Sequence, residues 1–209
     1  MIIQAKKGKA LEIAVRNFDI AYFDTSLVVG IPKNSRTYFQ DYVYKLISDT
    51  SVLCTTQQVC AEFMPRGMDK RKLEDYFALL DEGKLQKSLK KPGGRLKILY
   101  ELHKTGRIHN LSDGFLQHDF MIDDKHIFEE NGVSDTDSRL ALQAYAAQYS
   151  QPEKRVALLS ADADVLDVHQ HISTKYYSLK PPEFIWVNSQ DYSDKLQAQS
   201  LCNYRKVFS

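Results

Sequence analysis

The sequence predicts an α/β fold: three layers, helix over sheet over helix, around a central and mainly parallel sheet with a helical insertion in the middle of the chain. Three observations carry this. Short β-rich apolar runs ("IAYF" at 20–23, "SVLCTT" at 51–56, "RVALLS" at 155–160, "EFIWVN" at 183–188) alternate with helix-forming segments. The 209 residues, 43% of them hydrophobic, can bury one sizeable core but not two large ones. Acidic residues also recur just past the strands, along the edge where parallel sheets bind ligands.

The elements follow in order. Residues 1–18 read as an N-terminal extension, in which Lys6, Lys7 and Lys9 are followed by Glu12 and Arg16 and no apolar signal-peptide core develops. The first core strand, 20–23, ends at Asp24, and turn residues Gly30, Pro32, Asn34 and Ser35 come next. In "TYFQDYVYKLIS", Phe39, Tyr42, Val43, Leu46 and Ile47 form the stripe of an amphipathic helix. The strand "SVLCTT" leads into a helix start at "QQVCAEFM". From about Asp69 to Leu111, good helix formers interrupted once, at "KPGGR", read as two or more inserted helices, and 112–136 read as a polar loop. A helix begins near Asp137, with Leu140, Ala141, Ala144 and Tyr145 along one side. The strand "RVALLS", a loop entering a short helix at "ADADVLDVHQH", and the strand "EFIWVN" complete a single domain. Its core covers about 19–66 and 132–190, and its insertion about 69–111.

Lys and Arg number 28 against 27 Asp and Glu, so overall charge gives no instruction about partners. Its distribution does. Between 84 and 107, Lys84, Lys87, Lys90, Lys91, Arg95, Lys97, Lys104 and Arg107 face one acid, Glu101, making a basic insertion suited to nucleic-acid phosphates or, more plainly, a solvated helical face. Cys54, Cys60 and Cys202 are odd in number and lack a C-x-x-C pair, which suits a reducing compartment. No run approaches the roughly 18 apolar residues of a spanning helix. These features predict a soluble cytoplasmic chain without membrane partners.

The acids carry the chemistry. Asp24 ends the first strand, Glu62 lies in the helix after the second, Asp137 opens the late helix, and Asp162 and Asp164 follow "RVALLS". In a parallel sheet these positions gather along one edge. Convergent carboxylates repel, and a hard divalent cation such as Mg²⁺ or Mn²⁺ is the simplest compensation. Each acid also suits a plainer role: Asp24 and Asp137 as caps, Glu62 as a solvated surface residue, "ADAD" as an ordinary turn. What the plain roles do not predict is recurrence of acids at one topological location.

At these residues the sequence resembles the PIN-domain family of metal-dependent nucleases. "YFDTSLVVG" is similar to its opening strand, "QQVCAEF" to its Glu-bearing helix, "DTDSRLALQAYA" to its D-x-x-I/L-x-x-x-A helix, and "VALLSADADVL" to its strand ending L-L-T-x-D-x-D-F/L. The resemblance implies a catalytic pocket of Asp24, Glu62, Asp137 and Asp162, with Asp24, Asp137, Asp162 and Asp164 on Mg²⁺ or Mn²⁺. Glu62 would hold or orient a metal-bound water that attacks phosphorus in line. Ser26 or Thr25 would support Asp24 or touch phosphate, and Ser160 stands where the family keeps Thr or Ser. Arg139, Lys90, Lys91 and Arg95 are candidate phosphate contacts, each equally readable as a surface residue. The resemblance implies an endoribonuclease acting on single-stranded or structured RNA, either an RNA-processing enzyme or a toxin held by a cognate antitoxin or other regulatory protein, and a homodimer. The interval between Glu62 and Asp137 is longer than in compact members of the family, as is the N-terminus. A non-catalytic PIN-like module binding RNA or protein is the alternative, and a metal-dependent phosphatase a third reading, weakened because "DTS" lacks a second acid. "HQH" at 169–171 spaces its imidazoles at i and i+2, off a common helix face, which argues against a metal site there.

Overall fold

The computed structural model describes residues 2–6, 15–28, 53–62, 102–109, 128 and 132–188. They form a six-stranded, all-parallel sheet with helices, the three-layer α/β/α class. In chain order the elements are β1 (Ile2–Lys6), β2 (Ile20–Phe23), α1 (Thr25–Val28), β3 (Leu53–Thr56), α2 (Gln57–Glu62), β4 (Ile108–His109), α3 (Asp135–Ser150), β5 (Val156–Ser160), α4 (Ala163–Lys175) and β6 (Glu183–Asn188). The strand order is β1-β6-β5-β2-β3-β4. The chain winds from β2 out to β3 and β4, then crosses back to β5 and β6 on the other side of β2. The boundary between β2 and β5 is therefore where the winding reverses, and a crevice opens at the carboxyl ends of such a strand pair. Ile20 to Phe23 lie beside Val156 to Leu159 there in unbroken parallel register.

The strands read as continuous apolar runs because both faces of the sheet are buried. Ile20, Tyr22, Cys54, Val156, Leu158, Phe184 and Trp186 point to the face packed by Leu140, Ala141, Ala144 and Tyr145 of α3 and by Val165, Val168 and Ile172 of α4. The alternate residues Ala21, Phe23, Leu53, Ala157, Leu159, Ile185 and Val187 belong to the other face and are also buried. Two buried polar ties lock α3 in place. Gln148 donates through Nε2 to the Lys154 carbonyl (2.9 Å) and accepts at Oε1 from the Val156 amide (3.2 Å). The Tyr145 hydroxyl donates to the His169 carbonyl of α4 (2.9 Å) and lies 3.0 Å from Nδ1 of the same residue.

At the amino-terminal end of the strands the charges are matched. The Arg155 amide donates to Asp19 Oδ2 (2.8 Å). The Arg155 guanidinium donates to Glu183 Oε1 (2.9 Å) and sits 4.7 Å over the Phe18 ring. At the far side of the sheet Tyr22 and His109 are hydrogen-bonded (2.6 Å), tying the two-residue strand β4 to the centre.

Four elements differ from the expectations. The segment read as an extension contains β1, paired with β6, and the end of the segment read as helical contains β4. Among the described strands β1 is an edge, paired on one side, so "IIQAK" needs no long apolar run. Helix α3 begins at Asp135 with Ser134 as its cap, so Asp137 stands inside the first turn. Helix α4 is 13 residues long, carried past Asp167 and the histidines by the buried Val165, Val168 and Ile172. The helix read at 37–48, most of the insertion and the tail lie outside the described residues. Among the described residues no helix is long and apolar enough to cross a membrane.

Candidate active site

Asp24 leaves β2 at the switch point and is only 2% exposed. Its amide donates to the Leu159 carbonyl (3.1 Å), extending the β2–β5 ladder by one residue and fixing the backbone. Its carboxylate accepts from the Thr25 hydroxyl at Oδ1 (3.2 Å) and, at Oδ2, from the Ser26 amide (3.2 Å) and the Ser160 hydroxyl (2.9 Å). Asp24 thus caps α1, and its carboxylate is held by three donors.

Ser160 and Ser26 make a junction between the two strand ends. The Ser160 hydroxyl, while donating to Asp24, accepts from the Asp162 amide (2.9 Å). The Ser26 hydroxyl accepts from the Ala161 amide (2.8 Å) and lies 3.4 Å from Ser160 Oγ. Ser160 is fully buried, so its place is behind Asp24 and not on a substrate. Asp162 follows, exposed, and caps α4 by accepting from the Asp164 amide at Oδ1 (2.9 Å).

Glu62 is carried by α2, whose start is set by a residue that sequence reasoning missed. Thr56, fully buried at the end of β3, accepts at its hydroxyl from the Val59 amide (3.3 Å), and its neighbour Thr55 donates to the Phe23 carbonyl (3.0 Å). Two threonines after "LC" are the signal: the second is a helix cap. Glu62 itself is exposed at the end of the helix.

Asp137 is placed by Ser134, whose hydroxyl accepts from the Asp137 amide (3.1 Å) and donates to its carboxylate. Burial pushes the Asp137 carboxyl up to about 7, the Ser134 hydrogen bond pulls the other way, and the like charges of Asp162, Asp24 and Glu62 add to the rise. Three acids spread from residue 24 to residue 162 therefore act together on Asp137. None of them forms a salt bridge among the described residues, where the two ion pairs are Arg139–Asp135 and Arg155–Glu183.

The remaining candidates separate. Asp164 is half-buried and raised by burial and then by Asp162. Arg139 donates from Nε to both oxygens of Asp135 (2.7 Å each), which commits that nitrogen to its own helix and away from phosphate. Lys90, Lys91 and Arg95 lie outside the described residues. His169 is buried against Tyr145 and lowered to about 4, first by burial, so it is a neutral core residue. Burial likewise pushes the Cys54 thiol up to about 12 and that of Cys60 higher still, which keeps both as unreactive thiols. Asp167 was missed. It is 5% exposed on α4, and burial, then Asp164 and Asp162, push it up to about 7. Its spacing of i, i+3 from Asp164 was the available signal.

Among the described residues no three Asp, Glu, His or Cys side chains gather closely enough to make a ready metal cage. The donor set itself suits a hard divalent cation: every group is a carboxylate oxygen, and the raised Asp137 is what an added positive charge would relieve. No protein-family model matches the chain, and no curated protein and no solved structure matches it. The likeness to PIN-domain nucleases accordingly stands on the quoted motifs. What fold and site define is a class: a parallel three-layer α/β/α protein with uncompensated acids at the switch point of its sheet.

Proposed function

We propose that the chain is a PIN-like, divalent-cation-dependent endoribonuclease. The observation that supports this most is the field that Asp24, Glu62 and Asp162 impose on Asp137 without a cationic partner. A scaffold gains nothing from enduring that repulsion, whereas a phosphodiester hydrolase needs it to attract a cation. Asp24, Asp137, Asp162 and Asp164 would hold Mg²⁺ or Mn²⁺. Such an ion supplies Lewis-acid stabilisation of phosphoryl charge and lowers the pKa of water.

The chain's own groups do the rest. Thr25, the Ser26 amide and Ser160 hold Asp24 in one orientation, so no reorganisation is needed when a substrate arrives. Glu62, exposed on the rim, is free of the burial that restrains Asp24 and is suited to orient the attacking water and receive its proton. The Lys- and Arg-rich stretch from 84 to 107 gives the RNA backbone a counter-charge. The same reading carries a cytoplasmic enzyme, RNA-processing or toxin-like, with a regulatory protein partner and a homodimeric state.

The test uses labelled single-stranded RNA and DNA with Mg²⁺, with Mn²⁺ and with chelator, on the native chain and on Asp24→Asn and Asp137→Asn. Cation-dependent RNA cleavage lost in both variants is expected. Cleavage that survives the chelator or both substitutions would sink the mechanism. RNA binding without cleavage under every condition would favour a non-catalytic module.

A further inference from the structure

Tyr22 carries a hydroxyl into a position where phenylalanine would fill the same space. It is 1% exposed and lies in the core shared with Leu140, Ala141 and Ala144 of α3. A hydroxyl sealed there costs about 1–3 kcal/mol unless it is hydrogen-bonded, and this one is bonded to two elements. Its oxygen is 2.6 Å from Nδ1 of His109 on β4. The Gln143 side chain of α3 hydrogen-bonds the same oxygen, and because Gln143 Oε1 has no partner the bond is a donation from Nε2. The Tyr22 hydrogen is then directed to His109, whose Nδ1 accepts it. Burial raises the phenol above its ordinary range, so it keeps that hydrogen. One oxygen thus joins β2, β4 and α3.

From that oxygen two arms run toward the carboxyl edge of the sheet. Along β2, Asp24 stands two residues on, about 7 Å by strand rise. Helix α3 runs the other way, its last turn tied to the start of β5, so Asp137 stands six residues back from Gln143, about 9 Å by helical rise. We propose that Tyr22 is a positioning residue whose hydroxyl, pinned between Gln143 and His109, sets the distance between Asp24 and Asp137. The inference rests on the nuclease reading and deepens it, since two acids can share a cation only at a fixed separation. Apolar contacts between β2 and α3 are non-directional, whereas a hydrogen bond has a narrow range of length and angle. Without the hydroxyl the two elements stay packed but lose the tie that registers one against the other, and a shift of about 1 Å is enough to cost much of a rate. His109 also stands two residues after Arg107, the last cation of the Lys- and Arg-rich stretch, so the same pin holds the strand on which that stretch ends.

The experiment measures kcat and KM for cleavage of labelled RNA with Mn²⁺, below the unfolding temperature of every variant. Native chain, Tyr22→Phe, His109→Leu and His109→Asn are compared, with thermal unfolding recorded alongside. Tyr22→Phe is expected to lower kcat roughly 10–100-fold and to leave KM within about twofold. His109→Leu should lower kcat in the same way, and His109→Asn, whose amide oxygen restores an acceptor for the Tyr22 hydroxyl, should recover most of the loss. A native kcat in Tyr22→Phe with only the unfolding temperature lowered overturns the proposal, because a merely structural hydroxyl predicts that result. Equal loss in both His109 variants overturns it as well. Should Tyr22→Phe fail to fold, Gln143→Met, which takes the donor from the same oxygen, decides by its kcat. A native chain that cleaves no RNA fails the nuclease reading and this role with it; a cleaving native chain matched by Tyr22→Phe fails this role alone.

Discussion

The two ends of the sheet use the same residue types to opposite effect. At the amino-terminal end, Asp19 takes the Arg155 amide, and Arg155 is shared between Glu183 and the Phe18 ring. At the carboxyl-terminal end, Asp162, Asp24 and Glu62 act on Asp137 as like charges, and hydrogen bonds hold Asp24 and Asp137 where this happens. One end spends its charges on cohesion. The other keeps them unmatched, the feature on which the proposed cation dependence rests.

Breaking the unmatched end should have the largest effect. Asp24→Asn or Asp137→Asn is expected to lower RNA cleavage roughly 10²–10³-fold or more, measured as single-turnover rates with Mn²⁺. Removing a support has a smaller effect. Ser160→Ala takes one donor from Asp24 and the acceptor from the Asp162 amide, so cleavage should fall about tenfold and thermal unfolding should show a loss of about 1–2 kcal/mol.

The pH response sharpens the contrast further. An acid raised from the usual range to about 7 binds its proton more tightly folded than unfolded. Between about pH 4 and 7 the unfolded chain has released that proton and the folded chain has not, so stability falls as pH rises through this window. The metal-free protein should therefore lose on the order of 1–2 kcal/mol across it, and Asp137→Asn or added Mg²⁺ should flatten the slope in denaturant titrations. The matched end should respond least. Arg155→Ala is expected to cost about 1 kcal/mol of stability and to leave the cleavage rate within about twofold, separating cohesion from chemistry.

Much of this was legible in the sequence because of where the strands lie. β2, β5 and β6 are buried on both faces, and such strands must be apolar throughout. The acids at their ends stood out for the same reason, as charges interrupting obligatory apolar runs. β1 and β4 were not legible: an edge strand and a two-residue strand carry little pattern of their own, and their partners are remote in sequence. Ser160 could be aligned with a motif, but that it faces inward and serves Asp24 depends on β2 and β5 being neighbours. Asp167 was hidden among polar residues, and only its burial in the folded helix distinguishes it. Arg139 looked free because the bond from its Nε to Asp135 is a matter of rotamer, not of spacing alone.

The pairing of β1 with β6 also sets an order of events during synthesis. Residue 2 finds its register partner at residue 184, so β1 has nowhere to dock until nearly the whole described chain has followed it. Closing so long a segment is slow, and it comes after β2, β3 and β5 have the means to assemble the centre of the sheet. Made before the other described strands, β1 is thus seated after them, and the acidic end of the β2–β5 pair can be complete before β1 joins the sheet.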